Sequence, residues 1–493
     1  MLGTNEKLEW IQLSLQYFLP ELVLIGTFVI LLLSSLVLSQ GHQKKSIDLI
    51  ALLLLITSLV ASFISWNQTT TNISLFSGML TQSTFAAYLK LLFDVAGVLT
   101  VLLSWRAYEY RKAEYYALIA CALLGAHVLV MSSNLIMVFL AIELISLPSY
   151  LLTAFVFSKK SIEGALKYFL FGSVASAIML YGMSLLYGIT HTFDFTSEVF
   201  ANAIYYQQTP FFFISVCLIL AGLLFKIASA PMHPWAPDVY EAAPTPIVAF
   251  FSVVPKLAGI GILVLFCLAI DLKGNASIRW YIVLSLIAIL TLSIGNFAAL
   301  LQKNLKRMMA YSSIAQAGIL LIGAITLTNQ GLQFMLFYAT VFLVANYLVF
   351  LYIGHFERKS IIDMESYAGI GKSNAASSIL LLVGLISLTG LPPTAGFLGK
   401  VFVFSSLWNS YEISGQGLYL VVFVVGLLNT VVSLFFYLKI PYQSFLKNGS
   451  NTVLSENSWG VNLLGFLLVI TLLGLFFLPS GLMGWLNRIT FAL

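Results

Sequence analysis

LILAGLLFKIASAPMHPWAP, residues 218–237, is an apolar run that carries a lysine, Lys226, and then breaks at Pro231 and Pro234. Its first half offers no polar face that a soluble helix would turn to water, and proline ends a helix by removing a backbone donor and clashing with the preceding turn. A lysine near the centre of a membrane helix costs roughly 2.5 to 3.5 kcal/mol on insertion scales, so an intramembrane lysine is read by default as part of an ion or proton path. LTGLPPTAGFLGK, residues 388–400, has the same ingredients in reverse order, with Pro392 and Pro393 before Lys400. A third lysine, Lys256, follows Pro255 inside AFFSVVPKLAGIGILV, residues 249–264.

The rest of the chain agrees with a membrane reading. Hydrophobic residues make up 60% of 493 positions and charged residues 9%, with a mean hydropathy of +0.97, far from a soluble globular domain. Crossing the hydrocarbon as helix takes about 20 apolar residues. Fourteen windows qualify, at approximately 18–38, 47–66, 85–105, 113–131, 135–157, 164–190, 210–230, 244–269, 279–301, 309–327, 333–354, 377–407, 417–438 and 461–485. The runs are long and lack the alternation of barrel strands, so an all-α polytopic bundle follows. Glu6 and Glu9 precede the first run and no small-residue cleavage site follows, so that span is expected to stay in the mature protein. Cys121, Cys217 and Cys267 fall inside spans without CxxC spacing and read as small core residues.

The basic residues test the count, because cytoplasmic loops hold the Lys and Arg excess. Fifteen lie in odd-numbered connections, from Lys44 to Lys447, against four, Lys7, Lys273, Arg279 and Arg488, in even-numbered connections and termini. Both termini are therefore expected on the non-cytoplasmic side. The net charge of +5 is accounted for by these loops and requires no nucleic-acid partner. Lys90 and Lys167 lie close enough to helix ends to snorkel to the headgroups; Lys226, Lys256 and Lys400 do not.

Within a single membrane domain, residues 1–110 read as three leading helices, 111–270 and 271–440 as two five-helix sets, and 441–493 as a last helix. In each set the fourth helix, seven or twelve, is interrupted. Five crossings are an odd number, so the second set starts on the opposite side, as in inverted-repeat transporters. The reversed order of lysine and prolines fits that inversion. Backbone freed at such breaks is tolerable only where it is buried in protein or lines a wet cavity.

Glu143, in ELISLPSYLLTAF at 143–155, is the natural counter-ion for Lys226, since pairing lets both stay charged inside the membrane; a static structural pair is the alternative. Lys256 then lies between Lys226 and Lys400 in a row of amines. Three secondary candidates remain. Asp94 serves either helix packing or a nearby base, His127 either a relay or an interior hydrogen bond, and His233 either a bridge from Lys226 to water or Lys256 or a cap. Asp238 and Glu241 are expected to cap the eighth span and fix its turn. The chain contains no dinucleotide or phosphate loop, no cysteine set for an iron-sulfur cluster and no paired helix histidines for haem.

Taken together, ELISLPSYLLTAF, FKIASAPMHPWAPDVYEAAPTPIVAFFSVVPK at 225–256, NLKRMMAYSSIAQAG at 304–318 and LTGLPPTAGFLGK resemble the signatures of the antiporter-like subunits of proton-pumping NADH-quinone oxidoreductase, respiratory complex I. PDVYEAAPTP at 237–246 looks most like the subunit N branch, called subunit 2 in mitochondria, and the lysine at 400 is unlike the glutamate of the M branch. The resemblance implies Glu143 and Lys226 as the ion pair of a first half-channel, Lys256 as the connecting site and Lys400 as the exit-side amine. It implies proton translocation in a bacterial inner membrane, with the lipid bilayer and other membrane subunits of the complex as partners. No cofactor or metal is expected in this chain; NADH, FMN, iron-sulfur clusters and quinone would belong to partner subunits. PMHPW departs from the family's usual proline-phenylalanine-histidine order, which leaves the role of His233 open. A subunit of a multi-subunit cation/proton antiporter, a non-pumping spacer and a ferredoxin-fed plastid or cyanobacterial relative are the rival readings.

Overall fold

A computed structural model describes residues 4–37, 43–105, 112–206, 209–271, 280–448 and 459–491, and nearly all of them are helical. In chain order the helices are α1 (Thr4–Tyr17), α2 (Leu19–Val37), α3 (Gln43–Gln68), α4 (Thr84–Ser104), α5 (Ala113–Met131), α6 (Leu135–Ala154), α7 (Lys159–Thr190), α8 (Glu198–Tyr206), α9 (Pro210–Ile227) and α10 (Trp235–Ala242). There follow α11 (Thr245–Asp271), α12 (Trp280–Leu300), α13 (Leu305–Ile325), α14 (Asn329–Glu357), α15 (Ile370–Ser373), α16 (Ala375–Thr389), α17 (Ala395–Ser414), α18 (Gly417–Pro441), α19 (Trp459–Phe477) and α20 (Pro479–Leu486).

Among the described residues, 13 helices are long and apolar enough to cross a membrane. The expected twelfth crossing is split into α16 and α17, so the sequence count of fourteen and the helices agree. Many helices begin where a short polar side chain supplies the missing acceptor for a first-turn N–H. Ser83 accepts from Ala86 N at 3.1 Å, Asn134 from Ile136 N at 2.9 Å, Asn304 from Arg307 N at 3.1 Å and Thr328 from Gly331 N at 3.1 Å.

Several elements lie outside the sequence reading, the short helices α10, α15 and α20 among them. A helix, α1, precedes the first span, and α8 follows the long α7. A two-stranded antiparallel hairpin, Ile73–Leu75 with Leu80–Gln82, links α3 to α4, with Ile73 opposite Gln82. The last crossing is also shorter than expected, because Leu478 leaves helical geometry and Pro479 starts α20; proline has no N–H with which to continue α19.

The chain divides into two compact units. The first comprises Met1–Ile227, Val254–Arg279 and Ile489–Leu493, the second Ala228–Val253 and Trp280–Arg488. In the first, α4, α5 and the later part of α11 are enclosed, whereas α6 and α7 leave Leu147, Leu151, Leu166 and Val174 exposed, the apolar flank expected of helices bordered by hydrocarbon or by another chain. In the second, α13 and α14 are enclosed almost throughout. Cys267 is buried, as expected of a core residue, while Cys217 is exposed on α9 and Cys121 is half-buried. The sequence placed them all in the core because a membrane helix is apolar on every face, and hydropathy cannot tell a lipid-facing cysteine from an enclosed one.

Candidate functional site

Each interrupted helix carries a buried lysine near its break. In the first unit, Lys226 is the penultimate residue of α9 and is 1% exposed. The helix stops there because Ala228 takes a left-handed backbone, φ +56, and Pro231 follows. Lys226 Nζ donates to Ser146 Oγ at 3.1 Å. Ser146 lies on α6, one turn from Glu143, and itself donates to the Ile142 carbonyl at 2.7 Å.

Glu143 is half-buried and accepts a hydrogen bond from Ser176 of α7. It acts on Lys226 electrostatically without touching it, so Ser146 rather than the carboxylate makes the direct contact. Glu143 and Ser146 thus stand on neighbouring turns of α6, the first held by Ser176 and the second by Lys226. Tyr150, a further turn along, packs its hydroxyl against Gly172 of α7, where an added Cβ would collide with Oη.

Lys256 is 1% exposed on α11, directly after Pro255. Gly259 is three residues further on and therefore on the same helix face. A Cβ there would lie 2.9 Å from Ile227 Cγ1 and 3.7 Å from Lys226 Cβ. The two lysine-bearing helices of this unit thus meet along the face that carries Lys256.

In the second unit, α16 ends at Gly390, φ +87, and α17 begins at Ala395. Lys400 of α17 is 4% exposed, and its Nζ donates to the carbonyls of Leu388 at 3.0 Å and Thr389 at 2.7 Å. These are the last carbonyls of α16, which have no intrahelical partner and form the negative end of the helix dipole. A cation is the group that such an end accommodates. Gly390 makes the approach possible: the left-handed backbone favours glycine, and a Cβ would lie 2.7 Å from Lys400 Cδ.

Gln316 of α13 donates to the same Leu388 carbonyl at 3.1 Å and to Tyr437 Oη of α18 at 3.1 Å. Tyr338 of α14 donates to Gln316 Oε1, and Ser312 bonds Tyr437. Sequence reasoning passed over these four residues. Ser312 and Gln316 stand four apart in NLKRMMAYSSIAQAG, and a polar pair on one face of an apolar helix was the available signal.

The secondary candidates separate. His233 lies half-buried in the break of the second unit, its carbonyl accepting from Ala236 N at 3.0 Å at the start of α10. Asp94 and His127 join Glu21 and Lys90 in a buried cluster of the first unit. Lys90 does not reach the headgroups as expected: it is 0% exposed and held by Glu21 Oε1 at 2.8 Å, because a carboxylate on a neighbouring helix removes the need to snorkel. Lys167 does lie at the surface, paired with Glu163 at 2.9 Å. Asp238 and Glu241, expected to cap the eighth span, sit on α10 and hold Arg307 of α13 at 2.6 and 3.1 Å. Beside them Lys306 bonds Glu357 at 2.8 Å and the Ala243 carbonyl at 3.1 Å. Among the described residues, no group of three or more His, Cys, Asp or Glu is placed to hold a metal ion.

Residues 132–432 match the transmembrane family described as NADH:quinone oxidoreductase/Mrp antiporter. The chain is 35% identical to NADH-quinone oxidoreductase subunit N of Chlorobium chlorochromatii, covering 94% of this chain and 93% of that protein. It is 36% identical to the chloroplastic NAD(P)H-quinone oxidoreductase subunit 2 of Mesostigma viride, over 88% of this chain and 86% of the relative. A chain of respiratory complex I from Thermus thermophilus superposes with a TM-score of 0.79 at 28% identity, covering 96% of this chain and all of that one. A chain of the Mrp complex from Dietzia superposes with a TM-score of 0.82 at 18% identity, over 96% and 97% of the two chains, a likeness of fold.

Proposed function

Because the chain belongs to the NADH:quinone oxidoreductase/Mrp antiporter family, we propose that it is the subunit N homologue of a bacterial complex I and moves protons across the membrane when quinone reduction elsewhere in the complex drives it. Its partners are the other membrane subunits, and it lies in the bacterial inner membrane with both termini on the non-cytoplasmic side. NADH and quinone chemistry belong to those partners. In this reading the chain contributes the proton-moving half of a translocase.

The observation that carries the reading is that three amines are buried in membrane helices, Lys226 and Lys400 near helix interruptions and Lys256 directly after Pro255 inside the continuous α11. Each amine has a part that follows from its surroundings. Glu143 is the one half-exposed member, on the flank of α6 and α7, so a charge change in an adjoining subunit acts first on it. When Glu143 gains a proton, its attraction for the Lys226 ammonium is lost, and the Lys226 proton is free to move on. Lys256, whose helix meets the end of α9 at Gly259, is the next acceptor.

Lys400 holds its proton against the dipole end of α16 and is the exit-side amine. Coupling along such a row needs only modest interaction energies. Two ammonium groups about 10 Å apart at an effective dielectric of about 20 repel by about 1.7 kcal/mol, enough to change the occupancy of the second amine more than tenfold.

Quinone reduction and proton pumping are measured together in membrane vesicles carrying Lys226→Ala or Glu143→Ala. Either variant is expected to lose most pumping with the complex assembled. Wild-type levels of both activities would overturn the assignment.

A further inference from the structure

The first unit holds a second group of buried charges that the lysine row does not use. Glu21 on α2, Lys90 and Asp94 on α4, and His127 on α5 are each 0% exposed. Lys90 Nζ donates to Glu21 Oε1 at 2.8 Å and lies 3.2 Å from Met131 Sδ. His127 Nδ1 lies 3.0 Å from the same Glu21 oxygen, and its Nε2 lies 3.4 Å from Asp94 Oδ1. Ser58 and Ser62 of α3 donate to the two Asp94 oxygens at 3.0 and 2.6 Å. The second Glu21 oxygen, Oε2, is buried without a hydrogen-bond partner.

Charge and hydrogen-bond counting both specify one more proton here. Two carboxylates face one ammonium, so a neutral imidazole leaves the group with a net charge of −1 out of water, which a protein interior tolerates poorly. A neutral ring also has one N–H and one bare lone pair. Both ring nitrogens face carboxylate oxygens, so one lone pair would oppose an anion. The imidazolium donates from Nδ1 to Glu21, turns a positive Nε2 edge toward Asp94 at 3.4 Å without a hydrogen bond there, and brings the group to zero charge.

A polar seam leads away from the cluster. Ser58, Ser62 and Ser65 recur at spacings of four and three on one face of α3, Thr69 follows four residues on just past the helix end, and all are buried. Gln82 Nε2, on the second strand of the hairpin, donates to Ser65 Oγ at 3.0 Å and Thr69 Oγ1 at 3.3 Å. Hydroxyls both donate and accept, which is what a proton-conducting chain requires.

We propose that Glu21, Lys90, Asp94 and His127 form a proton-binding site separate from the lysine row, carrying one exchangeable proton on the His127 ring, and that the hydroxyl seam of α3 connects it to the hairpin end of the unit. The site gives this chain a proton store where its leading helices meet α5. The readout is protonation rather than transport, so the proposal stands or falls independently of the pumping assignment.

Nitrogen-15 NMR of the full chain in lipid vesicles, labelled at its five histidines, reports whether each ring nitrogen carries a proton. At neutral pH the His127 ring is expected to be protonated on both nitrogens, and His127→Gln removes that signal. Asp94→Asn cancels the excess negative charge and converts the ring to the singly protonated form, whereas Lys90→Met leaves it doubly protonated; Lys226→Ala also leaves it unchanged. Ser65→Val slows deuterium exchange of the ring proton at least tenfold.

A wild-type spectrum in which no His127-assigned ring is doubly protonated overturns the proposal even if every variant misfolds. So does loss of the signal in Lys90→Met alongside Asp94→Asn, the pattern of a merely structural cluster. An exchange rate unchanged in Ser65→Val removes the seam.

Discussion

Gly390→Ala tests the Lys400 end of the row without altering a charged residue. The added methyl meets two costs. An L-residue in the left-handed region loses about 1–2 kcal/mol, and φ at Gly390 is +87. The new Cβ would also lie 2.7 Å from Lys400 Cδ, where carbon atoms rest at about 3.5–4.0 Å, so the lysine stem must move by roughly 1 Å. Lys400 Nζ is held at 2.7 and 3.0 Å by the carbonyls of Thr389 and Leu388, and a shift of that size takes at least one bond out of range.

A hydrogen bond from a charged donor is worth about 1.5–3 kcal/mol, so the ammonium is held in place roughly ten- to a hundredfold less well. Gly415→Ala is the control. It has φ +67 and nothing within 4 Å of its Cβ position, so it meets the backbone cost alone. In vesicles containing the assembled complex, Gly390→Ala is expected to lower proton pumping about tenfold, while Gly415→Ala stays within about twofold of wild type. Equal effects of the two variants would refute the claim that the Lys400 contact with the end of α16 matters for transport.

Three further outcomes follow from the geometry. Ser146→Ala removes the acceptor that holds Lys226 and is expected to lower pumping several-fold while Ser149→Ala, whose hydroxyl bonds only the Ile145 carbonyl of its own helix, does not; pumping assays on both check it. Gly172→Ala drives the Tyr150 hydroxyl off α7 and should loosen the contact between α6 and α7, seen as faster hydrogen exchange in α6 and a modest loss of pumping. Lys90→Met leaves Glu21 buried without its ammonium partner, for which breaking a buried pair costs about 3–5 kcal/mol; the thermal unfolding temperature should fall, and adding Glu21→Gln should restore much of it.

The membrane-spanning helices and both breaks were legible because their signals are local. Apolar length marks a crossing, and proline beside lysine marks an interruption, whatever surrounds it. Lys226, Lys256 and Lys400 were found on the same grounds. What escaped depends on residues far apart in the chain. Glu21 follows Pro20 near a helix start and reads as an end-of-helix acid, yet it meets Lys90, 69 positions on. Lys90 and Asp94 stand four apart on α4, and that spacing was the one clue that both face the same interior.

Around Lys400, the prolines announced the break, but no rule of periodicity says that Gln316, Tyr338 and Tyr437 converge on it from three different helices. Ser146 escaped for a different reason. Serines inside membrane helices commonly bond back to their own carbonyls, as Ser146 does, so its second role as acceptor for Lys226 has no separate signature.

In the proposed function, buried amines of this chain carry protons when quinone is reduced. Its most direct test is the number of protons pumped per quinone reduced, measured in vesicles in which Lys226, Lys256 and Lys400 are all replaced by methionine and assembly of the complex is verified. A ratio below that of the wild type is expected. An unchanged ratio with full quinone reduction would contradict it and leave the chain a spacer.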